Sequence, residues 1–150
     1  MWFPILEKLL FRCRFLPGRI GLLGKCVDFF KIRGLRTSHW PQGFLMECNL
    51  DLSFERAIYL GLYDREELDV VADLYTGAGL FLDCGANLGI YSIFAANQAR
   101  RPGSVIGIEP NPVIFNRFQR NIQINRFEDY VDARQAAISS APGHATLAIP

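Results

Sequence analysis

The sequence predicts an α/β protein built on half of a doubly wound parallel sheet, and three observations carry that prediction. From residue 80 onward, short apolar runs alternate with longer helical patterns in the order strand, helix, strand, helix, strand. The runs "LFLDC" and "SVIGIEP" lack polar alternation, as strands buried on both faces do. The segments between them are long enough for helical crossovers, which parallel strands need and which are right-handed.

The elements follow in order. Residues 1–43 read as a basic amphipathic arm, and residues 44–150 as a partial domain of the predicted class. The arm closes with "TSHWPQG" (Thr37–Gly43), whose proline and glycine mark a loop. "FLMECNLDL" (Phe44–Leu52) alternates enough for a strand. "YDREELDVVADLYTGAG" reads as a helix with Asp64 and Glu67 at capping-box spacing. Its apolar face is Leu68, Val71, Leu74 and Tyr75, and Gly77 is its stop. "LFLDC" is then a strand and Leu88–Gln98 a helix. "SVIGIEP" is a second strand. The helix "PVIFNRFQRNIQIN" is capped by Asn111, with Pro112 at its first position, where the missing N–H costs nothing. "YVDARQAAI" is a third strand, and "HATLAIP" a candidate fourth after the Pro142–Gly143 turn.

At 150 residues the chain suffices for one domain with a sizeable core. Half of it is hydrophobic, which excludes a disordered protein. The net charge of +1 is unevenly spread. Residues 1–36 carry eight Lys/Arg against Glu7 and Asp28, and the remainder carries eight Arg against thirteen acids. Charges interrupt the apolar arm too often for a bilayer helix of ~20 residues, and no signal-peptide centre is evident. The chain is therefore expected in the cytoplasm. Peripheral membrane contact through residues 1–36 stands as an alternative to a helix packed on the body. Cys13, Cys26, Cys48 and Cys84 form no C-x-x-C pair, and His39 and His144 are isolated, so no metal site is expected.

Ligands of doubly wound sheets sit beyond the carboxyl ends of the strands. Two acids stand there: Asp83 closes the first strand and Glu109 the second, with Gly85-Ala86-Asn87-Leu88-Gly89 as the turn between. A dinucleotide fingerprint would put its second glycine at Asn87, so a pyrophosphate fits poorly. No Gly-Lys-Ser/Thr follows, and Asp83 would repel a phosphate. A ligand with an ammonium, a carboxylate and a ribose fits better, and S-adenosylmethionine has all three. Asp83 can accept from the ammonium, Gly85 allows close approach, N–H groups opening the next helix can hold the carboxylate, and Glu109 can accept from the ribose hydroxyls. Each residue also has a structural role available. Asp83 can satisfy N–H groups of the turn, Asn87 can cap the helix, and Glu109 can favour the next helix's positive end. The cofactor reading requires both carboxylates to border an open crevice.

The wording of "FLDCGANLGIYSIFAA", "VIGIEPNPVIFNRFQRNIQIN" and "AAISSAPGHATLAIP", with "IYLGLYDREELDVV" upstream, closely resembles the FkbM-type family of S-adenosylmethionine-dependent methyltransferases. The likeness covers roughly residues 55–150. It implies a Rossmann-like class I methyltransferase fold, of which only the N-terminal half is present. It also implies cofactor contacts at Asp83, Gly85, Asn87 and Gly89, Glu109 on the ribose, Asn111 on the adenosine side, and Ala137 in the stretch Ala136–Ile138 approaching the adenine. Members of the family typically methylate hydroxyl oxygens of sugars, polyketides and related metabolites. A small-molecule or glycan hydroxyl is thus the expected acceptor, with no nucleic-acid partner and no catalytic base identified.

The sheet of such an enzyme needs four more strands, so the chain is expected to be a fragment holding the cofactor half, with an unpaired sheet edge open to self-association. A non-catalytic nucleoside-binding remnant is the alternative to an active enzyme.

Overall fold

A computed structural model describes residues 19–29, 31–144 and 146–147. Most of the basic arm's first half and the end of the candidate fourth strand therefore lie outside the described residues. The chain divides into two compact units, residues 1–40 with 46–65, and residues 41–45 with 66–150.

The first unit contains α1 (Arg19–Phe29), the paired strands β1 (Leu35–His39) and β2 (Leu45–Asn49), and α2 (Ser53–Tyr59). β2 begins at Leu45, which groups with the second unit. Thr37–His39 belong to β1, so the expected loop shrinks to the link after it. Only Ser38 of that strand is buried, which is why no apolar alternation announced it. Asp28 of α1 accepts hydrogen bonds from Arg33 (3.0 Å) and from Arg56 of α2 (3.4 Å). Glu55 is fully buried and its carboxylate accepts from the Asn49 amide.

The second unit contains α3 (Arg65–Leu74), β3 (Phe81–Cys84), α4 (Ile90–Gln98), β4 (Val105–Ile108), α5 (Pro112–Asn125) and β5 (Val131–Arg134). α3 starts directly after Asp64 and buries Leu68, but Leu74 is 80% exposed and does not belong to its inner face. The three strands are parallel in the order β3-β4-β5, with Asp83 opposite Gly107 and Ile108 opposite Arg134. The parallel three-stranded sheet is the one expected from the alternating pattern.

β5 stops at Arg134, short of the expected Ile138. The amides that donate to β5 alternate along β4, ending with Glu109 on the Arg134 carbonyl, and the next in that alternation, the Asn111 amide, donates instead to Glu109 Oε1 at 2.8 Å. Ala136 and Ala137 therefore lie in an exposed loop. Of the candidate fourth strand, residues 144, 146 and 147 are not in a strand, and the others lie outside the described residues.

One aromatic ring organises the covered face of the sheet. Phe118 of α5 is fully buried, and a Cβ at Gly89 would stand 2.1 Å from its ring. A Cβ at Gly107 would stand 2.5 Å from the same ring and 2.8 Å from the Ser92 hydroxyl of α4. Gly107 of β4 is thus the floor on which both helices meet. The opposite face carries Leu82, which is 54% exposed, with Cys84 exposed and Ile106 and Ile108 half-buried.

Behind the turn, the buried Asn121 donates to the Leu88 carbonyl at 2.9 Å. Asn125 accepts from the Leu45 amide at 2.7 Å and donates to its carbonyl at 2.8 Å. Phe44 packs edge-on against Phe94, with centroids 6.1 Å apart.

Gly107→Ala should cost roughly 1–3 kcal/mol in urea denaturation, the usual penalty for overpacking a dense core. Combining it with Phe118→Leu should recover part of that loss. Strictly additive losses in the double variant would contradict the wedge.

Candidate cofactor site

The turn after β3 is a chain reversal with three left-handed residues, Gly85 (φ +86°), Asn87 (φ +52°) and Gly89 (φ +85°). At Gly89 this conformation coincides with the Phe118 contact, so a side chain is excluded twice over. Nothing lies within 4 Å of where a Cβ at Gly85 would be, and Gly85 is exposed. The Gly85 and Ala86 amides both donate to the Ile108 carbonyl at 2.9 Å, locking the turn onto the end of β4.

Both predicted carboxylates sit at this junction, each only 8% exposed. Asp83 Oδ2 accepts from the Ser92 hydroxyl at 2.6 Å and from the Ser92 amide at 3.1 Å. Its Oδ1 accepts from no group among the described residues. Glu109 Oε2 accepts from the Asn87 amide (2.9 Å) and Oε1 from the Asn111 amide (2.8 Å). The structural roles open to these acids are therefore realised. Yet among the described residues neither carboxylate has a Lys, Arg or His partner. Burial pushes the Asp83 carboxyl above its ordinary value, the two Ser92 hydrogen bonds pull it back, and the Glu109 charge adds a smaller upward push.

The remaining expected residues divide. Asn87 is exposed at the tip of the turn and does not cap α4, whose cap position is Gly89 with no side-chain bond. Asn111 is the cap of α5, its Oδ1 accepting from Val113 (3.0 Å) and Ile114 (3.4 Å). Its backbone amide donates to Glu109 Oε1. Ala137 lines a cavity of about 710 Å³ together with Pro110, Gln135 and His144, next in the chain to Glu109. Of the N–H groups opening α4, that of Ser92 is taken by Asp83.

Sequence reasoning missed Ser92. The signal was a lone polar residue inside the apolar run "IYSIFAA", fully buried here, since a buried hydroxyl needs a partner.

The site suits the implied cofactor on three counts. Asp83 Oδ1 is an uncommitted acceptor for an ammonium, space is open at Gly85, and the cavity adjoins the strand end that carries Glu109.

No protein-family model and no curated protein sequence matches the chain. Solved structures do match. One is the crystal structure of M. jannaschii tRNA m1G37 methyltransferase, at TM-score 0.51 and 17% identity, covering 70% of this chain and 31% of that one. Another is the Pyrococcus horikoshii protein PH0793, provisionally named a transferase, at TM-score 0.55 and 18% identity, covering 81% of this chain and 48% of that one. The chain thus has part of the Rossmann-like fold found in methyltransferases, and it spans about a third to a half of these neighbours' lengths. One expectation is corrected. A chain of this fold carries tRNA methyltransferase in its name, so the exclusion of a nucleic-acid partner does not hold.

The electrostatics yield a prediction with a definite sign. Because the folded pKa of Asp83 is raised above 3.8, the folded state loses stability relative to the unfolded one as pH rises from about that value through the folded pKa. Asp83→Asn removes this loss. Its thermal midpoint should exceed that of the wild type at pH 7, with the advantage shrinking as pH falls toward 3.8. A pH-independent difference would contradict the assignment.

Proposed function

We propose that this chain is the cofactor-binding half of an S-adenosylmethionine-dependent methyltransferase. One observation carries the reading: two buried carboxylates meet at adjacent strand ends with no Lys, Arg or His partner among the described residues. Buried charge without a partner is costly, and such arrangements cluster at functional sites. A ligand ammonium would supply the missing charge.

When bound, S-adenosylmethionine supplies a methyl group activated by its sulfonium. The residues here do the holding. Asp83 Oδ1 takes the ammonium, Gly85 admits the amino-acid portion, and Glu109 offers its remaining lone pairs to the ribose. Asn87 and Gly89 shape the turn, and the Ala137 loop with Pro110 walls the adenine side. Asn111 contributes as the cap that fixes α5. Asp83 and Glu109 are binders in this scheme, and the proton-accepting base is not among them.

The wording of the D-x-GAN-x-G and EPNP segments supports membership of the FkbM-type family, and through it oxygen methylation of a sugar, polyketide or related hydroxyl. The tRNA methyltransferase neighbour favours a second reading, in which the acceptor is a nucleic acid. Tritiated S-adenosylmethionine offered with glycan hydroxyls and with tRNA separates the two by which acceptor gains label. Label on neither, with the cofactor bound, would identify a non-catalytic nucleoside-binding module.

Calorimetry with S-adenosylhomocysteine tests the site itself. Glu109→Gln should weaken binding by roughly 1–3 kcal/mol, the cost of losing hydrogen bonds to a charged group. Asp83→Asn should weaken S-adenosylhomocysteine but spare methylthioadenosine, which lacks the ammonium. Equal affinity of wild type and Glu109→Gln would remove Glu109 from the site.

A further inference from the structure

We propose that Ser92 is a positioning residue for the cofactor site. It anchors one oxygen of Asp83 from beneath and so presents the other, Oδ1, to a cationic ligand. The inference rests on the cofactor reading only for the identity of that ligand.

The geometry is specific. Both Ser92 bonds, from the hydroxyl at 2.6 Å and the amide at 3.1 Å, end on Asp83 Oδ2. Two donors converging on one oxygen fix the plane of the carboxylate and leave its second oxygen to the ligand. Ser92 is fully buried in the first turn of α4, so water cannot substitute for its hydroxyl. Room for that hydroxyl exists because residue 107 is glycine, where a Cβ would lie 2.8 Å from Ser92 Oγ. β3, α4 and β4 therefore each contribute one residue to a single device: the acid, the anchor and the gap.

The charged surroundings leave the anchor with electrostatic work as well. α4 carries no Asp, Glu, Lys, Arg or His. Among the described residues, the charged neighbour acting on Asp83 is Glu109 beyond β4, which opposes ionisation, as burial does, and the Ser92 donors are what favours the anion that a ligand ammonium requires.

The test measures the carboxyl titration of Asp83 by carbon-13 NMR in the ligand-free full chain, together with the pH profile of S-adenosylhomocysteine binding. Ser92→Ala should raise the Asp83 midpoint by about one pH unit, and Ser92→Cys, a weaker donor, by less. The low-pH limb of the binding profile should move upward in step, with affinity near that limb falling about tenfold in Ser92→Ala. Ser104→Ala is the control, because it deletes another buried hydroxyl, which donates to the Arg101 carbonyl, and should leave the Asp83 midpoint in place.

An unmoved midpoint in a folded Ser92→Ala or Ser92→Cys chain would overturn the inference. A moved midpoint in a wild-type background that binds no S-adenosylhomocysteine would overturn the cofactor reading and support the coupling between serine and aspartate.

Discussion

Two negative charges held out of water at neighbouring strand ends set the terms for everything around them. A buried carboxylate survives only where donors surround it. Here the donors are the Ser92 hydroxyl and amide for Asp83, and for Glu109 two backbone amides brought within reach by the reversals after β3 and after β4. Glu109 joins both reversals through Asn87 and Asn111, and Asp83 ties the first to α4. The acids are thus part of the scaffold. Among the described residues, however, no Lys, Arg or His pairs with either acid, and Asp83 Oδ1 accepts from no group, which is what a ligand can use.

The back of the junction is rigid for a separate reason. Phe118 occupies the space that side chains at residues 89 and 107 would need, while Asn121 and Asn125 hold the turn and the Leu45 segment by their amides. Dense packing of this kind transmits little slack. The front is open: Gly85 and Asn87 are exposed, and Gln135–Ala137 with Pro142–His144 border a cavity. A stiff back and an accessible front are the conditions under which a site can be preorganised.

Much of this was legible in the residues themselves. The strand and helix order after residue 80, the cap at Asn111 and the position of both acids follow from local pattern, because periodicity and capping are short-range. What escaped was set by tertiary context. β1 has one buried residue and so no alternation to read. β5 ended early because the next donor of its ladder, the Asn111 amide, is taken by the Glu109 side chain. Ser92 looked like a break in an apolar run until the fold brought it under Asp83.

One face of the sheet leaves Leu82 and Cys84 exposed, and the chain spans about a third to a half of its neighbours' lengths. We propose that a cationic ligand completes the charge of the two strand-end carboxylates. The most direct measurement is the Asp83 carboxyl titration with and without saturating S-adenosylhomocysteine. The account predicts that the bound form titrates at clearly lower pH, because an adjacent ammonium stabilises the anion. A titration unchanged by ligand would contradict it.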